Sequence, residues 1–222
     1  MIEVVLDTET TGLKVSEGHR IVEIGCLEIS DLIPTKNKFH YYLNPERKVS
    51  EDAFKVHGYT DEFLSKQKKF SQIVDEFLNF ISGKRLVIHN AEFDISHLNN
   101  ELKLLGKDKI KEDVIDTLQI ARNKYPGSGT SLDALCKRYN IDNSKREKHN
   151  AVIDCELLSK VYINLLDQRE PTFNLSLDKE DHNKLINQTN SQYFKKIIEP
   201  SDEEMRLHKE FLKKDLKKNF FN

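Results

Sequence analysis

At 222 residues and a formal net charge of −2, the chain is long enough for one α/β domain plus an appendage, and the charge excludes a globally basic nucleic-acid binder but not local basic contacts to a strand end. Its three cysteines, Cys26, Cys136 and Cys155, stand unclustered in apolar patterns, which argues against a disulfide framework or a zinc site and for reduced core thiols in a cytoplasmic protein. No charged-then-apolar leader and no apolar run of transmembrane length is read, so no membrane association is expected.

The run Ile2-Glu3-Val4-Val5-Leu6 reads as a buried strand, with Thr10-Thr11-Gly12 as its exit turn. Asp7, Thr8 and Glu9 then leave the strand at the rim of a sheet, where ligands of α/β proteins bind. Because side chains alternate along an extended backbone, Asp7 and Glu9 point to one face and Thr8 to the other. Two further strands, Val22 to Ile29 and Phe39 to Leu43, follow closely, with turns near Gly18 and Asn37, which suggests an antiparallel meander. Phe70, Ile73, Val74, Phe77, Leu78 and Ile81 have helical spacing, and Leu86-Val87-Ile88 forms a short buried strand. Asn90 is an expected N-cap for a helix through Glu92 to Leu105, and Asn150 for one from Ala151 to Leu166. Between them lie a strand around Val114-Ile115, where Asp116 caps or buttresses the next helix, and helices around Leu118 to Lys124 and Leu132 to Tyr139.

On this layout Asp94 and Asp154 project from first helical turns, so four carboxylates from separated stretches, Asp7, Glu9, Asp94 and Asp154, can converge. Such a cluster is intolerable without cations, because like charges repel and raise one another's pKa. Hard oxygen ligands suit Mg²⁺ or Mn²⁺. Two such ions roughly 3.5 to 4 Å apart can clamp the attacking, leaving and non-bridging oxygens of a phosphodiester. His149 lies five residues before Asp154, just outside the helix, and an imidazole that titrates near neutrality suits a general base. His57 and His89 read as structural or substrate-positioning groups rather than metal ligands.

From about Glu170 to Gln192 the chain is polar, Asn-rich and poor in apolar residues, which reads as a linker. Ser201 and Glu204 then form a capping box that opens a helix, with Met205, Leu212, Leu216 and Phe220 on one face and lysines crowding its end. That stripe has no core of its own and reads as a docking face. The expected organisation is a catalytic domain over 1–169, a linker over 170–192 and a docking tail over 193–222.

The segments Asp7-Thr8-Glu9-Thr10-Thr11-Gly12, His89-Asn90-Ala91-Glu92-Phe93-Asp94 and His149-Asn150-Ala151-Val152-Ile153-Asp154 resemble the three motifs of the DEDDh superfamily of 3′-5′ exonucleases. Arg20-Ile21-Val22-Glu23-Ile24-Gly25, Val56-His57-Gly58-Tyr59-Thr60, Ser131-Leu132-Asp133-Ala134-Leu135-Cys136 and Ile141-Asp142-Asn143-Ser144-Lys145-Arg146 narrow the likeness to the family of proofreading epsilon subunits of bacterial DNA polymerase III. The likeness covers about residues 1 to 168. It implies an α/β, ribonuclease H-like fold, a mixed sheet of about five strands flanked by helices. It also implies that Asp7, Glu9 and Asp154 hold the metals directly, that Asp94 supports the second metal, and that His149 is the base. Glu9, Thr10, His57 and His149 would contact the terminal nucleotide. The implied partners are a single-stranded or mispaired DNA 3′ end and the alpha (polymerase) subunit, engaged through the tail. The segment Pro171 to Leu177 resembles a sliding-clamp-binding peptide but lacks its leading Gln. A stand-alone enzyme that trims RNA or short oligonucleotides is the alternative; a non-catalytic module that has kept the fold is opposed by the intact acidic set.

Overall fold

The computed structural model describes residues 2–144, 146, 148–166 and 200–214. The chain divides into two compact units, Met1–Thr172 and Phe173–Asn222.

The first unit is built on a five-stranded sheet. Its strands are β1 (Ile2–Thr10), β2 (Ile21–Ser30), β3 (Ile33–Tyr42), β4 (Arg85–Ile88) and β5 (Val114–Asp116), in the order β3-β2-β1-β4-β5. The first three form the expected antiparallel meander, while β4 and β5 run parallel to β1 and to each other. Seven α-helices complete this unit among the described residues: α1 (Glu51–His57), α2 (Asp61–Ser65), α3 (Phe70–Ile81), α4 (Ala91–Leu104), α5 (Thr117–Lys124), α6 (Leu132–Arg138) and α7 (Ala151–Leu165).

Period-two alternation in the strands sorts the core into two layers. Val4 and Leu6 of β1 face α3 and α4, where Phe77, Ile73, Ile81, Leu98 and Leu102 are fully buried. Val5 faces the other way, with Leu27 and Val87, against Leu135, Cys155, Leu158 and Val161 of α6 and α7. Burying each large side chain of this kind stabilises the fold by about 1.5 to 3 kcal/mol. All three cysteines are free and buried in these layers.

Two expectations at the level of elements need correction, and two helices are additional. β1 does not end at Leu6; it continues through Asp7, Thr8, Glu9 and Thr10, held by β2 through the pairs Asp7–Gly25 and Glu9–Glu23. The turn between β2 and β3 lies at Asp31 and Leu32, both with positive φ (49° and 66°), as a two-residue hairpin matching the right-handed strand twist demands, and Asn37 sits inside β3. Helices α1 and α2 are too short to show a period in the sequence, yet each is capped: Ser50 Oγ accepts from Ala53 N, and Thr60 Oγ1 from Phe63 N.

Two features open a cleft at the carboxyl end of β1. β4 pairs only with Glu3, Val4 and Val5, so it stops short of the part of β1 that carries Asp7 and Glu9. On the other side, Gly25 lets α7 come close, since a Cβ there would lie 2.6 to 2.8 Å from the backbone of Ala151 and Val152. The start of α7 is thereby seated on β2.

The second unit is described as α8 (Asp202–Lys214). The capping box is present: Ser201 N donates to Glu204 Oε2 at 2.8 Å and Glu204 N to Ser201 Oγ at 3.3 Å. Met205 is exposed, as are Leu207 and Phe211, which the expected stripe did not include. The linker, the segment Pro171 to Leu177, and Leu216 and Phe220 lie outside the described residues. Among the described residues, no helix is long and apolar enough to cross a membrane.

Candidate active site

The cleft measures ≈ 930 Å³ and is lined by residues of all three acidic segments, including Asp7, Glu9, Thr10, His57, His89, Asp94, His149 and Asp154. That size suits a ligand of nucleotide dimensions.

Asp7 and Glu9 reach the cleft from the end of β1. The carboxyl of Glu9 is pushed up to about 8, first by burial and then by Asp154, Glu23 and Asp94. Asp7 is also held well above the usual carboxylate range, by burial and then by the charges of Asp94, Glu9 and Asp154. Asp94 comes from the first turn of α4, on the layer opposite Val5, and is held by the residue expected to face away. Thr8 donates to its Oδ1 through both backbone N (2.9 Å) and Oγ1 (2.7 Å). These bonds favour the ionised form, but burial prevails and raises Asp94 to about 7.

The two helix starts differ. Asn150 caps α7 as expected, its Oδ1 accepting from Ile153 N at 3.1 Å. Asn90 makes no side-chain cap; it adopts a left-handed backbone (φ 71°), which asparagine tolerates, and its N–H donates to Asp116 Oδ1 at 3.0 Å. Asp116 also caps α5 through Leu118 N, so it buttresses the Asn90 turn and the next helix together.

Asp154, on the first turn of α7, is gripped by a residue for which sequence reasoning found no role. Arg146 donates from Nε to Asp154 Oδ1 at 2.5 Å, from Nη2 to Oδ2 at 2.9 Å and from Nη1 to Asp133 Oδ2 at 2.8 Å. Its Nη2 also lies 2.9 Å from His149 Nδ1. The fork of a guanidinium matches a carboxylate in this bidentate manner. The acidic cluster thus has a cation of its own. The sequence signal for it is confined to the segment around Asn143-Ser144-Lys145-Arg146.

His149 is half-exposed, with Nδ1 3.7 Å from Asp154 Oδ2 and 3.9 Å from Glu9 Oε1. Burial and the Arg146 charge push its pKa below the ordinary imidazole value, so the ring is neutral at pH 7. Its Nδ1 accepts from Arg146, which leaves the ring proton on Nε2. His57 ends α1 and is buried; its Nδ1 accepts from Tyr59 N at 3.0 Å, and its ring stacks on Tyr59 at 4.7 Å. The Nε2 of His57 is buried and faces the backbone of Thr10. His89 Nδ1 pairs with Thr117 Oγ1 at 2.9 Å at the cleft wall. Thr10 is buried, its hydroxyl donating to Gly12 O.

Ligand atoms of Glu9, His149 and Asp154 lie within 4.8 Å of one another. Asp7 and Asp94 join this group as neighbouring charges. Hard oxygen donors of which Asp7 and Glu9 are kept from ionising by burial and by the neighbouring carboxylates fit divalent cations, which reverse that penalty.

Comparison with known proteins agrees with this geometry. The exonuclease family profile matches residues 4–162. DNA polymerase III subunit epsilon of Rickettsia felis is 47% identical over 223 residues, covering 97% of each chain. The subunit of the same name from Escherichia coli is 48% identical over 169 residues, covering 72% of this chain and 70% of that one. In fold, the chain is similar to exonuclease X in complex with 5′ overhanging duplex DNA (TM-score 0.60, 23% identity, 75% of this chain and 92% of that one). It is also similar to the nuclease domain of 3′hExo, a DEDDh family member, bound to rAMP (TM-score 0.65, 18% identity, 75% and 92%). The sheet order, the converging carboxylates and a match that runs nearly end to end place the chain in the exonuclease family, among the epsilon subunits of DNA polymerase III.

Proposed function

We propose that the chain is a metal-dependent 3′-5′ exonuclease that removes mispaired nucleotides from a DNA 3′ end, releasing nucleoside 5′-monophosphates, as the proofreading subunit of a replicative polymerase. The observation that carries this reading is the meeting of Glu9, His149 and Asp154, with Asp7 and Asp94 beside them, in one cleft. Asp7, Glu9 and Asp154 would hold two divalent ions, Mg²⁺ or Mn²⁺, and Asp94, oriented by Thr8, would support the second. When bound, the ions supply positive charge against the oxygens of the phosphodiester under attack. The neutral ring of His149 takes the proton from the attacking water, and its low pKa keeps it able to do so at pH 7. The buried Nε2 of His57 and the backbone at Thr10 orient the terminal nucleotide, with Glu9 and His149 contacting it as well. A cytoplasmic location accords with this role. RNA-trimming enzymes need no tethered docking helix, so the capped, apolar-faced α8 favours the polymerase-bound reading over the stand-alone one.

Metal binding is expected to be proton-coupled. Glu9 and Asp94 are held up to about 8 and about 7, so a cation must displace protons from them. Titration calorimetry in buffers of different ionisation enthalpy should show net proton release near pH 7 and an affinity for Mn²⁺ that rises from about pH 6 to pH 8. A raised carboxylate pKa also means that the metal-free fold loses stability as pH climbs from the ordinary carboxylate range through about 8. Added Mn²⁺ should therefore raise Tm more at pH 8 than at pH 6; a pH-independent affinity without proton release would contradict the assignment.

For the base, His149→Ala should lower kcat by about 10² to 10⁴-fold and flatten the acidic limb of the pH–rate profile. In the parent protein that limb should have its midpoint below the ordinary imidazole value, because burial and Arg146 depress it. A parental rate and profile in the variant would make His149 structural.

The tail from about 193 onward is proposed to dock on the alpha subunit, with 170–192 as its tether. Truncation after Gln168 should leave degradation of free single-stranded DNA nearly unchanged and abolish co-purification with the polymerase subunit. Retained binding by the truncated chain would move the docking surface to the nuclease unit.

A further inference from the structure

Glu23 lies on β2 directly across from Glu9, is fully buried, and is absent from the cleft lining. The reaction described above gives it no task, yet both oxygens of its carboxylate are committed. Oε1 accepts from Asn150 Nδ2 at 2.8 Å and lies 2.8 Å from His40 Nε2. Oε2 accepts from Tyr59 OH at 2.7 Å and from Ala151 N at 3.1 Å. A carboxylate taken out of water is costly unless its lone pairs are matched in this way.

The donors belong to the two segments that carry the working histidines. Asn150 follows His149 in sequence and caps the helix that bears Asp154. Tyr59 stacks on the ring of His57 and donates its backbone N–H to His57 Nδ1. The two segments also touch directly, since His149 N donates to Val56 O at 3.2 Å. We infer that Glu23 is a positioning residue that fixes the base-bearing segment at His149 and the nucleotide-orienting ring of His57 to one another, by accepting hydrogen bonds from Asn150, Ala151 and Tyr59 at a single buried carboxylate.

The inference rests on the roles proposed above for His149 and His57, and the chemistry of the anchor supplies its own test. Glu23→Gln keeps size and shape, but whichever way its amide turns the N–H₂ meets a donor, Asn150 Nδ2 at the place of Oε1 or Ala151 N at the place of Oε2, while Asn150 Oδ1 is occupied by Ile153 N. Asn150→Asp reverses that polarity: its second oxygen can accept from the introduced amide on β2 while the first keeps the helix cap. In the full-length chain with saturating Mg²⁺, Glu23→Gln should lower kcat about 10 to 100-fold, the scale of loss caused by a misplaced catalytic group, and also raise KM for a nucleotidyl phosphodiester. The imidazole NMR signals of both His57 and His149 should shift in the same variant. Glu23→Gln combined with Asn150→Asp should recover most of kcat and return both sets of signals towards those of the parent, which a general loss of stability would not predict. The imidazole signals are read whether or not the protein turns over substrate. A folded Glu23→Gln protein with unchanged kcat, KM and imidazole signals would overturn the inference. Coupled imidazole shifts in a parent protein that hydrolyses nothing would uphold the anchor and overturn the nuclease reading.

Discussion

The structure is organised around an electrostatic conflict. Carboxylates from β1, α4 and α7 are brought into one cleft, where burial, and then the charges of Asp94 and Asp154, oppose the ionisation of Asp7 and Glu9. Packing alone would not assemble such a group. The acidic side chains are instead held by separate devices: Asp94 by two donors from Thr8, Asp154 by the fork of Arg146, and Asp7 and Glu9 by their place in a strand paired with β2. Their positions are fixed before any cation arrives, and the remaining repulsion becomes affinity for divalent ions. The same low dielectric that penalises the carboxylates strengthens their attraction to a metal.

The frame supplies the geometry. β1 outruns β4, which leaves Asp7 and Glu9 at an open end of the sheet, and Gly25 admits the start of α7 against β2. One strand can therefore serve both helical layers. Thr8 faces α4 and grips Asp94, while its neighbours Asp7 and Glu9 meet the residues delivered by α7. Arg146 adds a balance between roles, since it neutralises Asp154, depresses the pKa of His149 and occupies its Nδ1. For His149 to take a proton at that nitrogen, the guanidinium must rest on its carboxylate partners instead, and Asp133 gives it a second one.

Much of this is legible in the sequence, because the signals are local. The apolar run Ile2 to Leu6 identifies a buried strand and the 3.6 period in Phe70 to Ile81 a buried helix face, and the meander follows from strand spacing. The acidic motifs name the residues that the fold gathers in the candidate site, without any knowledge of distances. What escapes is set by tertiary contacts or by very short elements. α1 and α2 run for seven and five residues, too few to establish a period, although their Ser50 and Thr60 caps are readable. The hairpin at Asp31 and Leu32 lacks the glycine or asparagine that marks such turns, and Asn37 draws the expected turn to the wrong place. Thr8 points away from Asp7 and Glu9, as alternation demands, yet its task at Asp94 emerges only once α4 is packed on that face. Glu23 and Arg146 lie inside recognisable segments, but only the fold shows that one accepts hydrogen bonds from both histidine segments and the other spans Asp154, Asp133 and His149.

The central claim is that the cleft at the end of β1 hydrolyses DNA 3′ ends through cations held by its carboxylates. It is tested most directly by following nucleoside 5′-monophosphate release from a duplex with a mispaired 3′ end, comparing the purified full-length chain with Asp7→Asn, in Mg²⁺, in Mn²⁺ and with chelator. The account predicts release by the parent protein only with a divalent ion. A folded Asp7→Asn protein should be nearly inactive, having lost several kcal/mol of transition-state stabilisation. Release that persists in chelator, or an Asp7→Asn protein that keeps the parental rate, would contradict it.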